Sequence, residues 1–194
     1  MRIANLSMTV RPGSIVTGSV TFEGKSQAST TATGAGTPSA ANNNTIANAI
    51  DHIEGVYIGA TSTTPRFGLT SSALVTEITW QIDNQLRAQH AVGTAAAVGV
   101  GVGIARVTGT LSFYLENVTE LAKYLAGTAS SLAFRINDGT DIYIFSFPQI
   151  LFTGGGDPVT GASADGIVTL NWSAQQDSVN GIAMQVDKFG SDVA

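Results

Sequence analysis

The feature that most constrains what this chain can fold into is a two-residue alternation of apolar and hydroxyl-bearing side chains that returns along much of its length. From Ile15 to Phe22 it sets Val16, Gly18, Val20 and Phe22 against Thr17, Ser19 and Thr21. Side chains of an extended chain point alternately to opposite faces, so such a run reads as a strand with one apolar and one hydroxylated face. Ile3–Val10 precedes it, and Arg11-Pro12-Gly13 between the two supplies a turn, because proline presets φ and glycine tolerates φ > 0. The pair reads as a hairpin. The same chemistry recurs in Val107-Thr108-Gly109-Thr110-Leu111-Ser112-Phe113, which echoes Val16–Phe22 position by position. Either an internal duplication or two strands meeting one half-buried requirement would produce this echo. In both segments the hydroxyl face, Thr17, Ser19, Thr21, Thr108, Thr110 and Ser112, is a candidate for solvent or for a lumen.

Further strands are predicted at Gly55–Gly59, Leu74–Asp83, Ile104–Leu115, Leu132–Asn137, Ile142–Ile150, Ile167–Gln176 and Gly181–Lys188. Asp138-Gly139-Thr140 turns one hairpin, and Pro148, which cannot donate to a ladder, marks an edge or a bulge. One helix is predicted. Asn117 is placed to cap it with Glu120 three residues on, Val118, Leu121, Tyr124 and Leu125 share the face that would pack, and Gly127 ends it. The Gly-rich run 93–103 has no residues in phosphate-loop positions and reads as a flexible edge or loop. The segment 26–48 is Ser, Thr, Ala, Gly and Asn with hardly an apolar anchor, and reads as a mobile polar loop. The expected architecture is mainly β, an antiparallel β-sandwich or open barrel with one short flanking helix, in a single domain over 1–194.

Composition narrows the function. Charged residues make up only 12% of the 194, about half the ~25% usual in soluble domains. Faces so poor in charge are often buried against neighbouring subunits. A formal net charge of −5, with nine scattered Lys and Arg, offers no basic patch to grip phosphates. An acidic protein can still handle DNA as a conduit whose wall repels it. Cysteine is absent, which excludes disulfides, thiolate nucleophiles and Cys-based zinc sites. No run is long and apolar enough to span a membrane, and residues 1–10 do not read as a secretory signal, so a cytosolic product is expected.

No catalytic, cofactor-binding or metal site emerges. His52 and His90 lie near predicted loops without partners at a recognisable spacing and read as surface histidines, and Asp51 and Glu54 beside His52 read as solvated charge. Asp138 and Asp141 lack the ligand series of a calcium loop and read as turn formers, while Asp157 and Asp165 fall in a connector. Serines are abundant, but no Gly-x-Ser-x-Gly elbow appears. Trp80, Tyr57 and Phe67 would suit a sugar platform, although Trp80 in an alternating strand reads as core.

Taken in order, these segments resemble a known family. Asn5–Val10 with Ile15–Lys25, then Arg106–Asn117, the helix up to Leu125-Ala126-Gly127-Thr128, Leu132-Ala133-Phe134, and the series Asp138-Gly139, Tyr143, Phe145, Phe147-Pro148, Phe152, Leu170, Trp172-Ser173-Ala174 and Gln185-Val186-Asp187 are similar to the tail tube proteins of long, non-contractile phage tails. The resemblance is carried by order and spacing over most of the chain. It implies a non-enzymatic structural subunit of the virion tail, assembled in the host cytoplasm without cofactor or membrane. Six copies would join edge to edge into rings, and rings would stack into a tube. Tape-measure and tail-terminator proteins would be partners, and DNA would pass through without specific binding. Relatives carry a region before the hairpin, whereas this chain starts almost at it, so a fragment or a shorter variant is expected. A β-sandwich binding or adhesion module on a virion or cell surface is the alternative reading.

Overall fold

The computed structural model describes residues 1–26, 46–59, 74–115, 119–156 and 165–190. Within them the order is β1 (Arg2–Val10), β2 (Thr17–Glu23), β3 (Ile53–Gly59), β4 (Val75–Asp83), β5 (Arg87–Gln89), β6 (Gly99–Gly101), β7 (Arg106–Tyr114), α1 (Thr119–Leu125), β8 (Ser130–Asn137), β9 (Asp141–Gly155), β10 (Ile167–Ala174) and β11 (Gln185–Gly190). Nine strands form one sheet in the order β2-β1-β4-β7-β10-β9-β8-β3, with β11 also on β9, and β5 pairs β6 separately. All pairings are antiparallel. The expected mainly β fold with a single short helix is what the chain adopts.

The alternation is what curls this sheet. On β1, β4, β7 and β10 most apolar side chains fall on one face, and burying them requires the sheet to fold over itself. Trp80 on β4 meets Phe145 and Phe147 on β9 at ring-centroid distances of 5.7 and 6.1 Å, although β7 and β10 lie between those strands in the sheet. Phe147 also packs on Trp172 at 4.9 Å, and Phe134 stacks on Phe145 at 4.9 Å. Leu111, Val168, Leu170, Leu132 and Ile150 fill the space around them and are fully buried. Each such side chain contributes about 1.5–3 kcal/mol relative to exposure.

Long β9 serves two layers. Its first half pairs β8 and β11, its end pairs β10, and the ladder with β8 skips residues between the partners of Ser130 and Leu132, beside Pro148. That bulge absorbs the amide that proline lacks. The hairpin turn before β9 is held by Asp138, whose Oδ1 accepts from the amides of Thr140 (2.9 Å) and Asp141 (2.6 Å), while Gly139 takes φ 85°.

One expectation needs correction: His52 is buried rather than on the surface, its Nδ1 accepting from the Asn48 amide at 3.2 Å. The flexible edge or loop expected at 93–103 contains a short strand, Gly99–Gly101. Trp80 is only 2% exposed, in the core where its alternating strand put it. Of the polar loop expected at 26–48, positions 27–45 lie outside the described residues, as do Phe67 and Asp157.

Candidate functional site

The face opposite the core is built from the other half of the alternation. Register places Thr17, Thr9, Thr79, Thr110 and Asn171 in one row across β2, β1, β4, β7 and β10, and Ser19, Ser7, Gln81, Thr108 and Ser173 in the next. All six hydroxyl residues singled out from the sequence therefore lie on one face, three on β2 and three on β7. Thr17, Ser19 and Thr21 are exposed, Thr108 and Thr110 half-buried, and Ser112 buried.

Their hydroxyls bond sideways. Ser7 and Ser19 meet at 2.9 Å, Thr79 and Thr110 at 2.6 Å, and Ser112 and Thr169 at 2.8 Å. The Gln81 side-chain amide donates to Thr108 Oγ1 at 3.3 Å, and the Thr110 amide donates to Thr79 Oγ1 at 3.1 Å. Cross-strand pairs of this kind contribute roughly 0.2–1 kcal/mol each.

Charge is confined to the strand ends and is balanced there. At one end Arg11 bridges Glu77 at 2.7 Å. At the other, Arg2 stands opposite Glu23 and Asp83 opposite Arg106 in register. The middle rows carry only hydroxyl and amide groups, so this face is neutral although the chain is acidic overall.

The echo between β2 and β7 resolves into position. β7 lies inside the sheet and buries Val107, Leu111 and Phe113, whereas β2 lies at its end and, among the described residues, pairs β1 alone. Val20 and Phe22, on its core side, remain 45% and 53% exposed. A terminal strand with one apolar side open is a template for further pairing.

On α1, Tyr124 packs against the core and Leu121 is half-buried, while Leu125 stands outward at 76% exposure; Val118 and the capping Asn117 lie outside the described residues. The helix ends in a Schellman turn. The Thr128 amide donates to Lys123 O (2.9 Å) and the Gly127 amide to Tyr124 O (3.1 Å), with Gly127 at φ 61°.

Among the described residues, no three metal-ligating side chains cluster. Of the carboxylates weighed as cation ligands, Asp51, Asp138 and Asp141 have partners within the chain. Asp138 caps its hairpin as described, Asp51 bonds Asn48 at 3.0 Å, and Asp141 bridges Lys188 at 2.7 Å. Sequence reasoning missed the β5–β6 projection. Its signal was the Val-Gly repeat Val98–Gly103, in which glycine replaces the polar partner of the alternation.

A family model described as "Phage tail tube protein" matches residues 1–174, a span that ends with the last residue of β10. No curated protein matches the chain significantly.

Proposed function

The chain belongs to the phage tail tube protein family, whose members are structural components of the virion tail that self-assemble into a tube, and on that premise we propose that six copies close into a ring and that stacked rings enclose the path of the genome. The observation that carries this reading is the neutral hydroxyl face spanning five strands and ending at β2, whose apolar side is open. Ring closure supplies what β2 lacks, a neighbouring strand for its backbone and a cover for Val20 and Phe22.

In this reading Thr17, Ser19, Thr21, Thr108, Thr110 and Ser112 belong to the lumen wall. DNA held by lysine and arginine releases counterions and binds tightly. A wall of mutually bonded hydroxyls, with its few charges paired at the ends, offers no such gain, and the duplex slides. No catalysis is required of the subunit. One domain serves as the repeating unit, assembled in the host cytoplasm around a tape-measure protein and closed by a terminator.

Electron microscopy of the purified chain at rising concentration tests the assembly, with rings or tubes of uniform diameter expected. A gold label on Gln81→Cys, in a chain that has no other cysteine, then locates the face. Density on the tube axis is the expected result. A chain that remains monomeric throughout, or gold at the tube periphery, would overturn the reading.

A further inference from the structure

The part of the molecule that the ring does not explain is the outer half of the β4–β7 hairpin. Past the Asp83–Arg106 pair the two strands continue as residues 84–105, in which β5 and β6 pair with each other (Arg87 opposite Gly101, Gln89 opposite Gly99). The base is fastened to β1, with the Asn84 amide donating to Ala4 O at 3.0 Å and the Asn84 side chain to Ile3 O at 2.9 Å. Beyond that the arm's main packing is its own. The Gln89 side chain lies across Gly99 and Gly101, and the tip turns through Ala91–Thr94 with Gly93 at φ 85°.

An isolated two-stranded ribbon is marginal in water, and the second half of this one, residues 95–105, consists of Ala, Val, Gly and Ile alone. The arm's only ionisable side chains are Arg87 and His90. Val92 is fully exposed, Ile104 78%, Val102 50% and Val98 45%. So much apolar surface on a projecting element marks an interaction site.

At the other end of the same two strands lies its complement. Pro12, Ala49, Ile53, Val56, Leu74 and Tyr114 line an open groove of about 450 Å³ that holds no charged residue among the described ones. Leu74 is 54% exposed and Tyr114 38%. β4 runs from this groove to the base of the arm, so the two features are separated by nine residues of strand, about 30 Å at 3.3 Å per residue. A protrusion and a matching recess at opposite ends of one subunit form a heterologous contact, which propagates along an axis.

We propose that the arm of one copy docks in the apolar groove of a second copy in the next ring, making residues 84–105 the stacking element of the tube. This rests on the tube reading above, because the second copy must lie along the strand direction. Electrostatics contribute little, and burial of Val92 and its neighbours against Leu74 and Tyr114 supplies the attraction.

The native absence of cysteine allows a direct test. Val92→Cys and Leu74→Cys chains are mixed, assembled, checked by microscopy and oxidised with copper phenanthroline. A disulfide-linked dimer is expected from the mixture and from neither variant alone. Replacing residues 88–100 with an Asn-Gly turn is expected to leave single rings that no longer stack. Tubes without the dimer, a dimer formed instead between Val92→Cys and Val20→Cys, or normal stacking of the shortened chain would each overturn the arm's role while leaving the tube reading intact. If the unmodified chain forms neither rings nor tubes, the tube reading fails, and this inference fails with it.

Discussion

Gly109 shows how much a single position decides. It stands between Trp80 and Trp172 in register, on the core face of β7. A methyl group there would come within 2.5 Å of the Trp172 ring and collide with the Thr79 carbonyl oxygen. Because the obstruction includes backbone, Gly109→Ala is expected to destabilise the fold by about 1–3 kcal/mol, the range for overpacked cores. Gly156→Ala, where nothing lies within 4 Å, should shift stability by no more than ~0.5 kcal/mol. Both effects would be read from the urea midpoint by the fluorescence of the buried tryptophans. Asp138 makes a pH-dependent contribution. Amide donation from Asp141 and Thr140 holds its carboxyl below the ordinary 3.8. A depressed folded pKa means stability that is present above 3.8 and lost as the pH falls through the lower folded value. Thermal unfolding should therefore separate wild type from Asp138→Ala at neutral pH, with the gap narrowing below pH 3.8. Lys188 has the opposite sign. Its bond to Asp141, 2.7 Å away, raises its pKa above 10.5, so that contribution is present below 10.5 and fades as the pH rises through the higher folded value.

Elements with a strong alternation were legible before any coordinates. Val16–Phe22 and Val107–Phe113 declared their two faces, and β4, β8 and β10 lie within two residues of where the pattern put them. What one strand cannot announce is its neighbour. That β2 ends the sheet while its echo β7 sits inside depends on contacts distant in sequence, and so does the exposure of Phe22. Glycine depresses strand propensity, which hid β6. Its pairing depends on Gln89 covering two glycines from the opposite strand. His52 looked like a surface residue because its cover is the β8 end, whose Asn137 amide donates to the His52 carbonyl at 2.8 Å. The helix was readable from its stop signal, and that signal is testable. At φ 61° with open space around it, Gly127 has no steric role beyond its backbone conformation. Gly127→Ala should cost about 1 kcal/mol, seen as a melting temperature lower by about 2–4 °C for a chain of this size.

At the scale of the whole molecule, the alternation sorts side chains into a core, a neutral wall and an unfinished edge, and the last two have meaning only in an assembly. The edge can be tested without disturbing the fold. Phe22 is already half exposed, so Phe22→Glu should leave the unfolding midpoint within ~0.5 kcal/mol of wild type while sedimentation shows monomer at concentrations where wild type self-assembles. The wall calls for a different measurement, because its proposed property is that it does not hold DNA. Gln81 stands exposed in a middle row and bonds only Thr108 across the strands, so a longer cation there adds charge without opening the core. On the proposed ring reading, Gln81→Lys would place one positive charge per subunit around the lumen, and each phosphate neutralised releases counterions, with log affinity falling by about 0.9 per contact per decade of salt. Tubes of Gln81→Lys assembled with a short duplex should therefore retain DNA that nuclease cannot reach at about 50 mM salt and lose it towards about 200 mM, whereas wild-type tubes retain none at either. Retention by the variant that is wholly nuclease-sensitive would put the hydroxyl face on the outside. The smooth wall would then have to be sought on another surface of the same sheet.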